Sequence, residues 1–357
     1  MKRHLLFLAA LLIVNLAASA QKKFSVYAVG FYNQENLFDT CHDEGKKDYE
    51  YLPNKGWNGM KYTNKLRNMS KALADMGTDV LPNVGCAFIG LSEVENHKVL
   101  DALVDQAPLK ARNMKYVHIE GPDRRGIDCA LLYNPSLFSV KNVKLLPYVQ
   151  ELAKDSAFFT RGFLTVRGEM AGDDVAVIVC HWPSRFSGPF YRESAARQVK
   201  VIKDSLLNVN QEMKIFVMGD MNDDPVNKSM HVYLQAKPEI SQVGAGDMYN
   251  PWYNVLAKEG KGTLFYSGNW NLFDQIVITP NLLNKDAKKK DYSSLKYWKS
   301  HIFRRDYLIQ QEGQYKGAPL RTTAGGRWLN GYSDHLPVVM YLVKEKKGLF
   351  KGKKVKR

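Results

Sequence analysis

Polar side chains with catalytic potential follow several apolar, strand-like runs. Glu93 ends the run over residues 86–92, His181 the run over 175–180, and Asp220 the run over 215–219. Three further polar residues repeat this placement: Asn33 and Glu35 after residues 26–32, and Asn222 two positions beyond Asp220. One such Asn or Asp is usually a turn former. Four strand ends of this kind instead predict a shared site, because loops at strand ends gather polar groups in α/β folds.

An acid inside a strand and an imidazole near the C-terminal end of the sequence extend the pattern. Asp274 lies within the apolar run 272–278 and needs a hydrogen-bonded or ionic neighbour there. Asp334 and His335 stand side by side before the run 336–342. An isolated His at such a position is usually a core residue. Pairing Asp274 with His335 satisfies both side chains, since His needs an orienting acceptor.

Alternating strands and helices are predicted to position these residues. Eight apolar runs are predicted strands: 24–32, 86–94, 127–133, 162–169, 175–181, 214–220, 272–278 and 336–342. Helical spacing of apolar residues recurs from Tyr62 and over residues 191–207. The alternation predicts an α/β domain without an internal linker or repeat. Residues 286–326 are predicted to form a polar surface insertion with one strand candidate at 301–309.

The two ends of the sequence differ from the rest. Residues 1–20 combine Lys2 and Arg3, an apolar stretch and a small-residue exit, which predicts a signal peptide and an exported, periplasmic or secreted protein. We expect one domain over residues 21–345, a basic tail over 346–357 and no stable membrane anchor. The formal net charge of +15 favours an anionic partner, although a basic tail can also be merely solvated.

Four cysteines occur in the 357 residues. Export would allow disulfides, but Cys86, Cys129 and Cys180 lie in or beside apolar runs and are expected to be core residues. Whether any pair forms stays open at this point. The spacing gives little support for a structural zinc site.

Taken together, the ordered motifs resemble the endonuclease/exonuclease/phosphatase superfamily. The motifs are 32–38 (YNQENLF), 91–96 (LSEVEN), 125–133 (RGIDCALLY), 181–185 (HWPSR), 219–223 (GDMND), 273–276 (FDQI) and 333–337 (SDHLP). The resemblance spans residues 27–339. It implies a four-layer sandwich, in which two packed mixed β-sheets are flanked by helices as in deoxyribonuclease I, with the site at one edge.

The resemblance also implies roles. Glu93 is expected to be the principal metal ligand, with Glu35 and Asp334 as further direct or water-mediated ligands. Asp220 and Asn222 are expected to position the nucleophile and a phosphate oxygen, and Asn33 is expected to be another direct or water-mediated metal ligand. His335, oriented by Asp274, is the expected general base or phosphate-stabilising group, and His181 is the second histidine. The implied cofactor is Mg²⁺ or Mn²⁺, with Ca²⁺ as an alternative, because hard cations prefer oxygen ligands.

Three arginines are candidates for phosphate binding, since guanidinium suits bidentate contact. Arg185 follows His181 by four positions in a loop, and Ser184 could donate beside it. A solvated loop cation is an equal alternative for Arg185. Arg125 and Arg161 flank strands and could instead pair with Asp128 or Asp123.

The sequence therefore predicts a metal-dependent hydrolase of phosphate esters, which we expect to be a monomer and a nuclease or phosphodiesterase acting on nucleic acid. One alternative is a phosphatase or phospholipase C-like enzyme on inositol, sugar or lipid phosphates. A catalytically inactive binding module is disfavoured, because the site residues are retained together.

Overall fold

Two mixed β-sheets face each other in the computed structural model, which describes residues 23–151, 158–286 and 288–346. The predicted signal peptide and nearly all of the predicted tail lie outside these residues. The first sheet has the order β14-β17-β1-β2-β4-β3 and the second the order β5-β6-β7-β8-β13-β10-β9. The four-layer fold expected from the sequence is thus confirmed.

The six strands of the first sheet are β1 (Phe24–Leu37), β2 (Phe88–Val94), β3 (Lys115–His118), β4 (Asp128–Tyr133), β14 (Lys296–Ile302) and β17 (Val338–Glu345). The seven of the second are β5 (Phe138–Leu146), β6 (Phe163–Met170), β7 (Asp173–His181), β8 (Lys214–Asp220), β9 (Ala236–Lys237), β10 (Met248–Tyr249) and β13 (Asp274–Ile278). Two hairpins stand apart: β11 (Leu264–Tyr266) with β12 (Asn269–Asn271), and β15 (Thr323–Ala324) with β16 (Arg327–Trp328).

Within the described residues, five α-helices accompany the sheets: α1 (Gly59–Asp75), α2 (His97–Val104), α3 (Ala107–Ala111), α4 (Pro189–Val209) and α5 (Trp252–Ala257). Helix α1 begins where the Asn58 side chain accepts a hydrogen bond from the Lys61 N–H, which caps its first turn. None of the helices in the described part of the chain combines the length and apolarity needed to cross a bilayer.

Alternation along the strands produces separate apolar cores. In β7, Val175, Val177 and Val179 face the core between the sheets. The intervening Ala176, Ile178 and Cys180 face a second core. Helix α4 packs there through Ala195, Ala196 and Val199. Because successive side chains point to opposite faces, every second residue serves one layer.

Two details depart from the sequence-based expectation. The strand candidate at 301–309 is wrong in its bounds: the strand runs over Lys296–Ile302 and pairs with β17. As an edge strand with exposed Trp298 and Lys299, β14 lacks the apolar alternation that reveals a central strand. Strands β3 and β5 were not predicted, since they too lie at sheet edges and only Phe138 among their residues is buried. All four cysteines are free thiols, and Cys86, Cys129 and Cys180 are buried.

Candidate active site

Strand register places three of the predicted residues side by side. Asp220 of β8 pairs with His181 of β7 on one side and with Asp274 of β13 on the other. All three side chains are buried. Strands β7 and β8 lie very close together just before these residues, since a Cβ on Gly219 would lie 2.2 Å from the Cys180 carbonyl oxygen. Because Gly219 has no side chain, the strands can approach closely enough to place His181 and Asp220 side by side.

The other sheet contributes Asn33 and Glu93 to the same place. Asn33 Nδ2 donates a 3.0 Å hydrogen bond to Asp220 Oδ2, which joins β1 to β8. Glu93 Oε1 lies 3.7 Å from His181 Nε2, and the same imidazole nitrogen lies 3.7 Å from Asp220 Oδ2. The predicted meeting of strand ends from both sheets is therefore present in the structure.

His335 completes the site from the turn before β17. Its Nδ1 lies 2.7 Å from Asp274 Oδ2, and its Nε2 lies 3.8 Å from Asp220 Oδ2. Ser333 fixes this turn, because its hydroxyl donates to the Asn33 carbonyl and accepts from the His335 N–H. The Asp274–His335 pair expected from the sequence exists and leaves Nε2 facing the other polar groups.

The pKa values of the two imidazoles are shifted in opposite directions. Burial alone would lower the pKa of His335, but the carboxylates of Asp274 and Asp220 outweigh burial and raise this pKa well above its usual value. Burial, followed by the cations of Arg161 and Arg125, holds the pKa of His181 well below its usual value. The shifts therefore favour a cationic His335 and a neutral His181 near neutral pH, and a neutral imidazole is able to bind a metal ion.

Backbone strain coincides with the site. Left-handed conformations occur at four non-glycine residues there, with φ of 45° at Glu35, 56° at Asn36, 58° at Glu93 and 49° at Asn222. Such positions each cost on the order of 1 kcal/mol. At Glu93 the pairing of β2 with β4 shifts register, so the strand bends as its carboxylate enters the site. Strain of this kind is common at functional sites.

Three side chains fit a divalent cation. Glu93, His181 and Asp220 each offer one ligand atom, and these atoms all lie within 4.8 Å of one another. Two carboxylates with one neutral imidazole suit a hard or borderline ion. Asp220, Asp274 and His335 form a second group by the same distance, but Asp274 and His335 already satisfy each other at 2.7 Å. The group that includes Glu93 is therefore the candidate cation site.

Glu35 and Asp334 were expected to be metal ligands, but the guanidinium of Arg321 bridges them. The sequence did not indicate this contact. Arg321 donates to Asp334 Oδ2 at 3.0 Å and lies 3.5 Å from Glu35 Oε1. The Thr322 N–H donates to Glu35 Oε2 at 2.6 Å. Both carboxylates thus border the site while bonded to the loop 321–322.

Buried Lys65 of α1 was also missed. Its Nζ donates to Thr322 Oγ1 and to the Tyr332 carbonyl. Burial lowers the pKa of Lys65, although Glu35, Asp334 and Glu93 oppose that shift. The signal was present in the sequence, because Lys65 falls at helical spacing on the stripe that includes Met69. A cation on an apolar stripe indicates a buried anionic or carbonyl partner.

The four predicted phosphate-binding residues lie on one flank of the site. Arg185 is exposed, packs 4.4 Å above the Phe273 ring and donates to Asp224 Oδ2 at 2.9 Å and to the Asn222 carbonyl at 3.2 Å. Half-buried Ser184 precedes it. Asn222 itself donates to Asp220 Oδ1 and to the Trp182 carbonyl. Arg185 therefore borders the site through Asn222.

Arg161 and Arg125 both pair with Asp123, one of the two partners considered for them. Arg161 is buried and donates to Asp123 Oδ2 at 3.0 Å and to the Trp182 carbonyl at 2.9 Å. Exposed Arg125 has its Nε 3.8 Å from Asp123 Oδ1. The positive charges of both arginines lower the pKa of His181, so both lie near this residue of the site.

Comparison with known proteins identifies the family of this chain. The pattern of the Endonuclease/Exonuclease/phosphatase family matches residues 28–344. No curated protein matches the sequence. A solved family protein from Bacteroides thetaiotaomicron is similar at 14% identity and a TM-score of 0.53, over 93% of this chain and 100% of that chain.

Two further solved structures have the same fold, and their names refer to different substrates. One is the Bacteroides thetaiotaomicron mannosyl-6-phosphatase Bt3783, at 14% identity and a TM-score of 0.52, over 88% of this chain and 99% of that chain. The other is D. rerio TDP2 complexed with a single-strand DNA product, at 11% identity and a TM-score of 0.51, over 89% and 99%. These likenesses concern the fold alone. With the family match across residues 28–344, this chain belongs to the Endonuclease/Exonuclease/phosphatase family and is a hydrolase of phosphoric ester bonds.

Proposed function

We propose that this protein is an exported, metal-dependent phosphodiesterase that cleaves nucleic acid. The observation that carries the proposal is that Glu93, His181 and Asp220 lie in one cluster with the Asp274–His335 pair. A metal-holding group and an oriented imidazole together provide what hydrolysis of a phosphate diester needs.

The side chains of the site have the following roles in this proposal. Glu93, His181 and Asp220 would hold Mg²⁺ or Mn²⁺, which when bound would neutralise the charge of the non-bridging phosphate oxygens. Cationic His335 donates from Nε2 to a phosphate oxygen, while Asp274 keeps Nδ1 protonated and the ring oriented. Buried Asp220, held by Asn33 and the Asn222 N–H, accepts a hydrogen bond from the attacking water. Ca²⁺ could replace the smaller ion as a helper in binding.

Charge and one exposed aromatic support nucleic acid as the substrate. The formal net charge of +15 favours association with polyanions. Phe186 is 99% exposed and follows Arg185 directly in the chain. An aromatic ring beside an arginine offers a surface on which a base of a single strand stacks. A neighbour of the same fold, D. rerio TDP2, has been solved with a single-strand DNA product.

Export is part of the proposal and rests on residues 1–20, which lie outside the described residues. Its support is the charged start, the apolar stretch and the small-residue exit of that segment. Recovery of the protein in the periplasmic or culture fraction, with a mature chain beginning near residue 21, would support it. Retention of the full-length chain in the cytoplasm would contradict it.

A second candidate substrate is a small phosphate ester of a sugar, inositol or lipid. A cavity of about 610 Å³ borders Asp334 and Arg321, and Phe265, Gln310 and Gln314 are among its lining residues. Aromatic and amide side chains of this kind also suit polar rings such as sugars. Among the structural neighbours is a mannosyl-6-phosphatase.

A substrate panel separates the two candidates. Purified protein would be assayed with Mg²⁺ or Mn²⁺ on single-stranded DNA, plasmid, sphingomyelin, inositol phosphates and sugar phosphates, each with and without chelator. We expect the highest kcat/KM on single-stranded DNA, with complete loss in chelator. Rapid release of phosphate from sugar or inositol monoesters with inert DNA would instead favour the second candidate.

A further inference from the structure

A second group of acidic side chains lies just beyond the site, where β1 and β2 end. Its four members are Asp39, Asp43, Asp48 and Glu95. Glu95 directly follows β2, and its N–H donates to the Leu37 carbonyl at the end of β1. Neither Asp39 nor Glu95 belongs to the Glu93, His181 and Asp220 group.

Glu95 is the unusual member. Its side chain is only 3% exposed. One carboxylate oxygen, Oε2, accepts a 2.7 Å hydrogen bond from the Asp39 N–H. The other oxygen, Oε1, is buried and has no hydrogen-bond partner. A buried charged oxygen without a partner is costly, so such a group normally binds a cation or carries a proton.

Asp39 stands beside it and is also buried, at 9% exposure. Its Oδ1 accepts a 2.6 Å hydrogen bond from the Cys41 N–H, and its carbonyl accepts one from Trp57 Nε1 at 2.8 Å. The Tyr62 hydroxyl is close enough for both Asp39 and Glu95 to act on it electrostatically. The buried indole of Trp57 therefore holds the backbone of Asp39 in place beside Glu95.

The nearby basic side chains pair with the other two members of the group, Asp43 and Asp48. Lys98 Nζ lies 3.7 Å from Asp43, and the His42 imidazole pairs with Asp48. Asn96 Nδ2 also donates to Asp43, at 2.9 Å. Within the described residues, Asp39 and Glu95 are thus left as two adjacent buried carboxylates without a cationic side chain within ion-pair distance.

We propose that Asp39 and Glu95 bind a hard divalent cation of the Ca²⁺ type, at a site separate from the one that includes Glu93. Carboxylate and hydroxyl oxygens are the ligands that such an ion prefers, and Ca²⁺ tolerates an irregular set completed by water. The ion would join the turn after β1 to the end of β2. It would thereby hold Asn36, whose N–H donates to Glu93 Oε2 at 3.0 Å.

Terbium binding tests this assignment. Tb³⁺ replaces Ca²⁺ and luminesces when a nearby tryptophan is excited, and Trp57 is bonded to Asp39. Chelator-stripped wild type would be compared with Glu95→Gln, Asp39→Asn and Glu93→Gln, with exposed Glu44→Gln as the matched control. We expect Glu95→Gln and Asp39→Asn to bind one equivalent of Tb³⁺ fewer than wild type. Glu44→Gln should bind as many equivalents of Tb³⁺ as wild type. In Glu93→Gln, added Ca²⁺ should displace the remaining Tb³⁺ and thereby reduce the luminescence.

Wild-type stoichiometry and luminescence in Glu95→Gln would overturn the proposal and show that Glu95 carries a proton instead. A second measurement guards against misfolding. Ca²⁺ should raise the Tm of Glu93→Gln, and the double variant Glu93→Gln, Glu95→Gln should lose that rise. An equal rise in both variants would also overturn the proposal. Because Glu93→Gln isolates the second site, failure here is distinguishable from failure of the proposed hydrolysis.

Discussion

The imidazole Nδ1 of His335 lies 2.7 Å from Asp274 Oδ2, although the two residues are 61 positions apart. Asp274 starts β13 and His335 precedes β17, so the bond joins the two sheets at the edge where the site lies. The carboxylate fixes the ring and its protonation, which leaves Nε2 directed toward Asp220 at 3.8 Å. The predictions below follow from this pair and its neighbours.

Asp274→Asn should abolish most of the activity while keeping the fold. The amide is isosteric but cannot stabilise a cationic imidazole, so kcat on bis(p-nitrophenyl) phosphate should fall by about two orders of magnitude or more. Exposed Asp286→Asn is the matched control and should retain wild-type kcat. Unchanged turnover in Asp274→Asn would show that catalysis does not depend on the orientation of His335 by Asp274.

The pH dependence of stability should reveal the charge of His335 in protein kept metal-free with chelator. Because the folded-state pKa of His335 is raised, its contribution is fully present below the unfolded pKa of about 6.5 and is lost as pH rises through the folded pKa. The difference in free energy of unfolding between wild type and His335→Gln should therefore be larger at pH 6 than at a pH above that raised value. Urea denaturation at several pH values measures it. A difference that is smaller at pH 6 than at the higher pH would show that burial, which lowers the pKa, prevails.

Phe186→Ala should weaken binding of single-stranded nucleic acid and spare small substrates. Stacking on an aromatic side chain contributes about 1–3 kcal/mol per base, so KM for an oligonucleotide should rise by roughly 5- to 160-fold. The rate on bis(p-nitrophenyl) phosphate should not change, since Phe186 has no part in the chemical step. Val209→Ala is the control, because Val209 is a 66% exposed apolar residue at the end of α4. Equal effects on both substrates would point to distortion of the loop.

Arg161→Met should destabilise the fold far more than Arg125→Met, although both arginines pair with Asp123. Arg161 and Asp123 have side chains only 7% and 6% exposed, so breaking their bond leaves a buried charge. The expected loss in free energy of unfolding is about 3–5 kcal/mol. Arg125 is 52% exposed, and its replacement should cost less than about 1 kcal/mol. Chemical denaturation of both variants decides this, and equal losses would contradict the assignment.

Strand-end residues were predictable because their signal is local. Glu93, His181 and Asp220 each end an apolar run, and such runs identify central strands. Asp274 was recognisable because a carboxylate inside a buried strand needs a partner, and His335 supplied a candidate. The family resemblance then gave these residues a common chemistry.

Other parts of the site depend on loop paths that no local pattern encodes. Arg321 lies in a polar segment, and nothing in its sequence neighbourhood indicates that it bridges Glu35 and Asp334. The left-handed backbone at Glu93 arises from a register shift between strands, which is a tertiary feature. Lys65 was predictable in principle, since a cation on the apolar stripe of α1 needs a buried partner.

Metal-dependent hydrolysis by Glu93→Gln tests the central claim most directly. The wild type should lose hydrolysis of bis(p-nitrophenyl) phosphate in chelator and recover it when Mn²⁺ or Mg²⁺ is added. Glu93→Gln should show a rate lower by about two orders of magnitude at saturating metal, with a weaker apparent affinity for Mn²⁺. Wild-type turnover and unchanged metal dependence in this variant would contradict the claim that Glu93 and its neighbours hold the catalytic cation.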